Sequence, residues 1–122
     1  MARIMIVDDS AYARRVHRVM LEAAGHAVIE AATGIGAIEM YSLERPEAVI
    51  LDLSMADLGG LDVLKTLRQL DEQARVIVVS ADVQRSTEQA VMAAGADRFL
   101  AKPAKAGQLT SAISDILGAP RP

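Results

Sequence analysis

Several polar side chains stand where apolar runs of this sequence stop. Asp8 and Asp9 follow the run at 3–7, and Asp52 interrupts the stretch at 47–54 near its end. Ser80 follows the run at 75–79, and Lys102 follows 98–101. Carboxylates brought together repel one another, so either their pKa values rise or a cation neutralises them. Hard oxygen donors with open water positions suit Mg2+, which typically keeps waters and a substrate phosphate around it. A metal with a lysine beside a carboxylate is equipment for phosphoryl transfer, which rests on positioning and charge neutralisation. An aspartate can itself be the nucleophile and form an aspartyl phosphate. Lys102 then serves as a point charge on a phosphoryl oxygen, and Ser80 donates a hydrogen bond to another. Taken alone, Asp52 reads equally as a strand-end acid that caps a loop. What decides between the readings is whether the elements bring these groups together.

The stretch at 47–54 is aliphatic, lacks alternation and is too short for a helix, which is how a strand buried on both faces reads. The same reading gives strands at 3–7 (β1), 75–79 (β4) and 98–101 (β5), with a short edge strand at 27–30 (β2) before the Asp52 strand (β3). Between them lie helical patterns. Ser10 caps a helix (α1) with Ala13, Val16, Met20 and Ala23 on one face, stopped by Gly25. Thr33 caps a second (α2) that buries Ala37, Ile38 and Tyr41 and ends before Pro46. Gly34 and Gly36 are read as a loop opening that helix, because the pair lacks the third glycine of a dinucleotide site. Gly59-Gly60 leads into a third helix (α3) with Leu61, Leu64 and Leu67 inward. A fourth (α4) at 84–94 turns Val91 and Met92 inward and stops at Gly95. The last (α5) at 105–117 buries Leu109, Ala112, Ile113 and Ile116.

Strand and helix therefore alternate five times at even spacing, as βαβ units require. Short connections and right-handed crossovers favour an α/β fold of the flavodoxin-like, doubly wound kind: a five-stranded parallel sheet with helices on both faces. In the order 2-1-3-4-5, the switch point lies between strands one and three. Asp8, Asp9 and Asp52 would share that crevice, with Ser80 and Lys102 beside it.

The 122 residues fit one domain, expected at 1–118, with a tail or linker stump at 119–122. Apolar residues make up 52% of the chain, enough for a packed core. Without cysteine, no disulfide, thiolate metal site or cysteine nucleophile is possible. The formal charge is −3 with no basic stripe, which gives nucleic-acid binding no support. The run at 3–7 is too short for a signal peptide, and no run is long enough to span a membrane. A soluble cytoplasmic protein is expected.

With the pieces in order, the sequence resembles the receiver domains of two-component response regulators over essentially its whole length. The matching segments are Ile6-Val7-Asp8-Asp9-Ser10, Val49-Ile50-Leu51-Asp52-Leu53-Ser54-Met55, Val78-Val79-Ser80-Ala81, Ala94-Gly95-Ala96-Asp97 and Phe99-Leu100-Ala101-Lys102-Pro103. The resemblance implies that Asp52 accepts a phosphoryl group from a histidine kinase or a histidine phosphotransfer protein. It implies that Asp9, Asp52 and the backbone carbonyl of Ser54 hold Mg2+, with Asp8 assisting through water. Ser80 and Lys102 would bind the phosphoryl oxygens, and the Lys102-Pro103 bond would be cis. Ser80 and Phe99 would form the switch that alters partner binding on the α4-β5-α5 face. The domain would be a signalling switch and not an enzyme, apart from its own phosphorylation and slow dephosphorylation. Two departures stand out. Ala56 replaces the usual proline, and Phe99 lacks the hydroxyl often found there, so it can respond only by packing.

The remaining candidates receive plainer readings. His17 and His26 are expected at surface or half-buried positions, and Met5, Met20, Met40 and Met92 as core filler. Asp57, Asp62, Asp71 and Glu72 are expected in solvent. Arg14, Arg15 and Arg18 either solubilise α1 or help to dock the donor. Asp82 either caps a helix or acts on an attacking water or a partner. Two competing functions remain at this stage: a Mg2+-dependent aspartyl-phosphate phosphohydrolase, and a receiver-like binding module that is not phosphorylated.

Overall fold

The computed structural model describes residues 2–55 and 57–118. Ala56 and the tail at 119–122 lie outside the described residues. The strands are β1 (Arg3–Val7), β2 (Ala27–Ala31), β3 (Ala48–Asp52), β4 (Val76–Ser80) and β5 (Arg98–Ala101). The helices are α1 (Ala11–Ala23), α2 (Gly34–Glu44), α3 (Gly60–Leu70), α4 (Arg85–Ala93) and α5 (Ala106–Gly118). The strands form a single parallel sheet in the order β2-β1-β3-β4-β5.

Register sets the geometry of the functional edge. Val7 pairs with Leu51, Asp52 with Val79, and Ser80 with Ala101. The strands thus stop nearly level, and the polar residue at or just past each end arrives on one edge. β3 and β4 are buried at every position, so their Val/Ile/Leu runs serve both faces of the sheet.

The alternation of a strand divides the core into two layers. Met5, Val7, Val49, Leu51, Val76 and Val78 face α2, α3 and α4, where Tyr41, Val63, Leu64, Leu67 and Val91 meet them. Ile4, Ile6, Ile50, Ile77 and Val79 face the other way, onto Leu21 of α1 and Leu109, Ile113 and Ile116 of α5. Each fully buried aliphatic side chain contributes roughly 1.5–3 kcal/mol. That apolar layering is what holds charged groups at the sheet edge. Among the described residues, no helix is long and apolar enough to cross a membrane.

The caps follow the sequence. Ser10 Oγ accepts from Ala13 N–H at 3.1 Å, and Thr33 Oγ1 from Gly36 N–H at 2.9 Å. Gly25 and Gly95 follow α1 and α4 at φ +92° and +106°, where a Cβ would be strained.

Several side chains sit differently from the sequence reading. On α1 the buried positions are His17 and Leu21; Ala13, Val16 and Met20 are half-buried and Ala23 is exposed. The inward stripe runs beside the one expected, because a polar residue, His17, occupies part of it. On α4 only Val91 is buried, and Met92 is 42% exposed. Met5 is core, while Met20 and Met40 are half-buried. Arg14 and Arg18 both reach Glu30, at 2.8 and 2.7 Å, which ties α1 to the edge strand β2. Asp71 is not free in solvent: it accepts from the Tyr41 hydroxyl at 2.7 Å, and Arg45 pairs with it at 3.4 Å. His26 is half-buried, and its Nδ1 accepts from Ala2 N–H.

His17 generates a pH prediction. It is buried, and its Nδ1 has no hydrogen-bond partner. Burial holds its pKa below the ordinary 6.5, with Asp8 opposing and Lys102 reinforcing the shift. The fold therefore prefers the neutral ring, whereas the unfolded chain takes up a proton near the ordinary value. This contribution is fully present above that pH and is lost as pH falls through it. Urea midpoints measured at pH 7.5 and pH 5.5 should drop less for His17→Leu than for the unmodified chain. Equal drops would mean the imidazole does not titrate differently in the fold.

Candidate functional site

Each side chain at the functional edge is delivered by the end of a strand. Asp52 is the last residue of β3 and is buried. Asp8 leaves β1 and is buried; Asp9, next in the chain, is exposed. Asp8 Oδ1 accepts from Ser10 N–H at 2.9 Å, which turns the chain into α1. Oxygens of Asp8, Asp9 and Asp52 all lie within 4.8 Å of one another. Lys102 leaves β5, and its Nζ donates to Asp8 Oδ2 at 2.9 Å and to Asp52 Oδ1 at 3.3 Å. Its backbone N–H continues the sheet onto the Ser80 carbonyl at 2.9 Å, and the following Lys102–Pro103 bond is cis.

The electrostatics follow from this crowding. Burial pushes the Asp52 carboxyl above its ordinary range, and the Asp8 charge pushes it further. Lys102 and a hydrogen bond from the Ser54 backbone pull the other way. Burial would lower the pKa of Lys102, yet its bonds to the two aspartates outweigh this, and the net shift is upward. Lys102 therefore stays cationic. Three carboxylates against one ammonium leave a formal charge of −2. One divalent cation would neutralise it. The donors are hard oxygens, and exposed Asp9 leaves one side open to water. The residues present thus fit Mg2+.

Ser80 lies at the end of β4, buried, on the same sheet face as Phe99 of β5. Its Oγ accepts from Asp82 N–H at 3.0 Å. The structure thus brings Asp8, Asp9, Asp52 and Lys102 into one cluster. Ser80 stands beside it with its hydroxyl turned to the loop before α4. Phe99 is half-buried against the core layer below α4. Asp82 is itself a loop brace: its carboxylate accepts from Gln84 N–H at 3.0 Å and Thr87 Oγ1 at 2.7 Å. Those bonds hold its pKa below the ordinary range, the Thr87 bond most of all. It does not cap α4, whose N-cap is Gln84 without a side-chain cap bond, and so differs from the capping acid expected.

Asp57 is the residue near the site that sequence reasoning missed. Expected in solvent, its carboxylate accepts from Gly34 N–H at 2.9 Å and Ile35 N–H at 3.1 Å. The partners are more than twenty residues away in sequence, so no local pattern could reveal the bond. The nearest clue was that α2 opens with glycine and lacks an acid in its first turn.

A family model described as "Response regulator receiver domain" matches residues 4–114. The chemotaxis protein CheY of Bacillus subtilis is 38% identical over 116 residues, covering 94% of this chain and 97% of that one. The transcriptional regulatory protein KdpE of Mycobacterium tuberculosis is 39% identical over 84% of this chain, a match that spans 45% of that longer protein. Among solved structures, a CheX–CheY–BeF3–Mg2+ complex from Borrelia burgdorferi matches with a TM-score of 0.92 at 25% identity, covering 96% of this chain and 90% of that one.

The raised pKa of Asp52 means that its ionised form costs folding stability when no cation is present. An acid raised in the fold stabilises the fold as pH falls and opposes it once ionised. In EDTA at pH 7.5, Asp52→Asn should therefore have a higher urea midpoint than the unmodified chain. With Mg2+ at a hundred times its dissociation constant, the unmodified chain should gain about 2.7 kcal/mol, and the order should reverse. A lower midpoint for Asp52→Asn in EDTA would contradict the repulsion.

Proposed function

Because the chain belongs to the response regulator receiver domain family, we propose that Asp52 is its phosphoacceptor in a Mg2+-dependent signalling switch. The observation that carries this reading is the cluster of Asp8, Asp9 and Asp52 with Lys102 bonded to two of them. The family is one of signalling receivers and not of conventional enzymes.

The donor is a phosphohistidine of a kinase or a phosphotransfer protein. An Asp52 carboxylate oxygen attacks phosphorus, the P–N bond breaks, and its electron pair returns to the donor imidazole. The product is an acyl phosphate on Asp52. Asp9, Asp52 and the Ser54 carbonyl would hold Mg2+, with Asp8 assisting through water; the ion would neutralise charge on the phosphoryl oxygens. Lys102 already touches Asp52, so its ammonium can transfer a hydrogen bond to a phosphoryl oxygen with little displacement. Ser80 Oγ accepts from Asp82 N–H, which leaves its own O–H free to donate to another.

Drawing Ser80 inward would loosen the loop before α4 and open room for Phe99 on the same sheet face. The readout is then a changed α4-β5-α5 surface; Met92 of α4, and Val83 in the loop before it, already expose apolar area. This is a two-state equilibrium shifted by the phosphoryl group's differential affinity. The output partner is a protein that reads that face, and the setting is the cytoplasm. Neither nucleic acid nor membrane is a partner of the domain itself.

Acetyl phosphate with MgCl2 should give a phosphoryl adduct in the intact mass of the unmodified chain. EDTA should abolish it, Asp52→Asn should lack it, and Lys102→Ala should slow its formation by roughly 100-fold, about 2.7 kcal/mol of lost charge stabilisation. Steady hydrolysis of a small phosphate ester that needs Asp8 but not Asp52 would favour a phosphohydrolase instead. No adduct and no Mg2+-dependent change would leave a binding module.

A further inference from the structure

The loop after Asp52 is attached at two places. At its base, Gly60 N–H donates to the Leu53 carbonyl at 3.0 Å. A Cβ on Gly60 would lie 2.5 Å from the Asp52 carbonyl oxygen and 2.6 Å from Leu53 Cα, so any side chain there would force the loop open. At its outer side the loop reaches α2 through Asp57. One carboxylate oxygen accepts from Gly34 N–H at 2.9 Å and the other from Ile35 N–H at 3.1 Å. A helix start leaves such N–H groups without partners inside the helix, and the Thr33 side chain takes the Gly36 N–H. Shape reinforces the bonds. A Cβ on Gly34 would lie 2.8 Å from Leu58 Cβ and 2.9 Å from Val63 Cγ2. The start of α2 and the far side of the loop are thus fitted to each other.

Ser54 lies between these attachments. Its carbonyl is the loop-borne metal donor in the reading above. The other donors ride on or beside strand ends whose register is fixed by the sheet. The Ser54 carbonyl has only the loop to place it. We infer that Asp57 is a positioning residue for the Mg2+ site, tying the loop to α2 so that the Ser54 carbonyl is held ready for the ion. The inference rests on the phosphoacceptor reading.

The bond pattern explains why a carboxylate is used. Two adjacent N–H donors on one helix turn are matched by the two oxygens of a single side chain, and the negative charge faces the positive end of α2. The same amides hold the Asp57 carboxyl below its ordinary range, the Gly34 bond most, so the tie stays ionised near neutral pH. A group that orients a metal donor from outside the coordination shell typically changes affinity by 10- to 100-fold. Asp57 is exposed and acts on the donor through the chain between them, so the lower end applies.

The test is calorimetric titration of MgCl2 into the whole chain, with thermal unfolding measured in EDTA alongside. Asp57→Ala should weaken Mg2+ binding by about 10-fold. Asp57→Asn keeps one oxygen for one of the two N–H groups and sets an NH2 against the other, so its affinity should fall between those of the unmodified chain and Asp57→Ala. Gly34→Ala, which pushes Leu58 away from the other side, should weaken binding in the same direction. If Asp57→Ala lowers the unfolding temperature and leaves Mg2+ affinity unchanged, Asp57 is a helix cap alone and the inference fails. It fails equally if Asp57→Asn binds as weakly as Asp57→Ala, since the effect would then be charge at a distance. Should the unmodified chain take up no Mg2+, or Asp52→Asn bind it as tightly, the phosphoacceptor reading itself falls. Those two controls separate that failure from a failure of Asp57 alone.

Discussion

Like charges packed at one sheet edge are the constraint that the rest of this molecule serves. Asp8, Asp9 and Asp52 hold oxygens within 4.8 Å of one another, and two of the three residues are buried. Left to themselves they would separate or take up protons. They do neither freely, because β1 and β3 are neighbours in fixed register and both are buried in aliphatic layers above and below. Moving a carboxylate away would mean sliding a strand out of a packed core. Lys102, delivered by the last strand, offsets part of the repulsion from across the sheet. The remainder is what makes the site receptive to a divalent cation.

The same logic explains why the charged cluster is at the switch point and nowhere else. Between β1 and β3 the crossovers diverge to opposite faces, α1 going to one side and α3 to the other. Such a switch point is where open parallel sheets leave a crevice at the strand ends for a ligand to approach. β4 and β5 add Ser80 and Lys102 from the flank. Their backbones are locked to each other by the pairing of Ser80 with Ala101 and by the bond from Lys102 N–H to the Ser80 carbonyl. A hydroxyl at the end of β4 and an ammonium just past β5, the one turned to the loop before α4 and the other bonded to the carboxylates, are thereby kept in step.

The parts of this arrangement that could be read from the sequence are those written along one strand. Continuous aliphatic runs give buried strands, and a polar residue at the end of each run gives the site, once the order 2-1-3-4-5 puts all ends on one edge. What could not be read is written between elements. His17 interrupts the apolar stripe of α1, so apolar spacing points one column away from the residues that are buried. Met92 looks like core by spacing, but α4 is short and buries only Val91, which leaves the methionine at the surface. Glu30 joining Arg14 and Arg18, Asp71 joining Tyr41, and Asp57 joining Gly34 are all pairs between separate elements. Such bonds leave no period in the sequence, since either partner alone is indistinguishable from a solvated side chain.

These inter-element bonds also differ in what they can do. The apolar layers fix strand register and leave little to adjust, because a shift of one residue would turn every side chain to the wrong face. The loops at the carboxyl edge have no such register, although Leu53, Met55, Leu58 and Ala104 rest on the core. Each is instead held by a few polar contacts: Asp8 with Ser10, Asp82 with Gln84 and Thr87, Asp57 with α2. Contacts of that kind are individually weak, so the proposed switch could exchange them for contacts to an ion or a phosphoryl group without disturbing the core. A rigid sheet that concentrates charge, bordered by loops held by replaceable hydrogen bonds, is the combination the proposed switch requires for a local change in charge to become a change in surface shape.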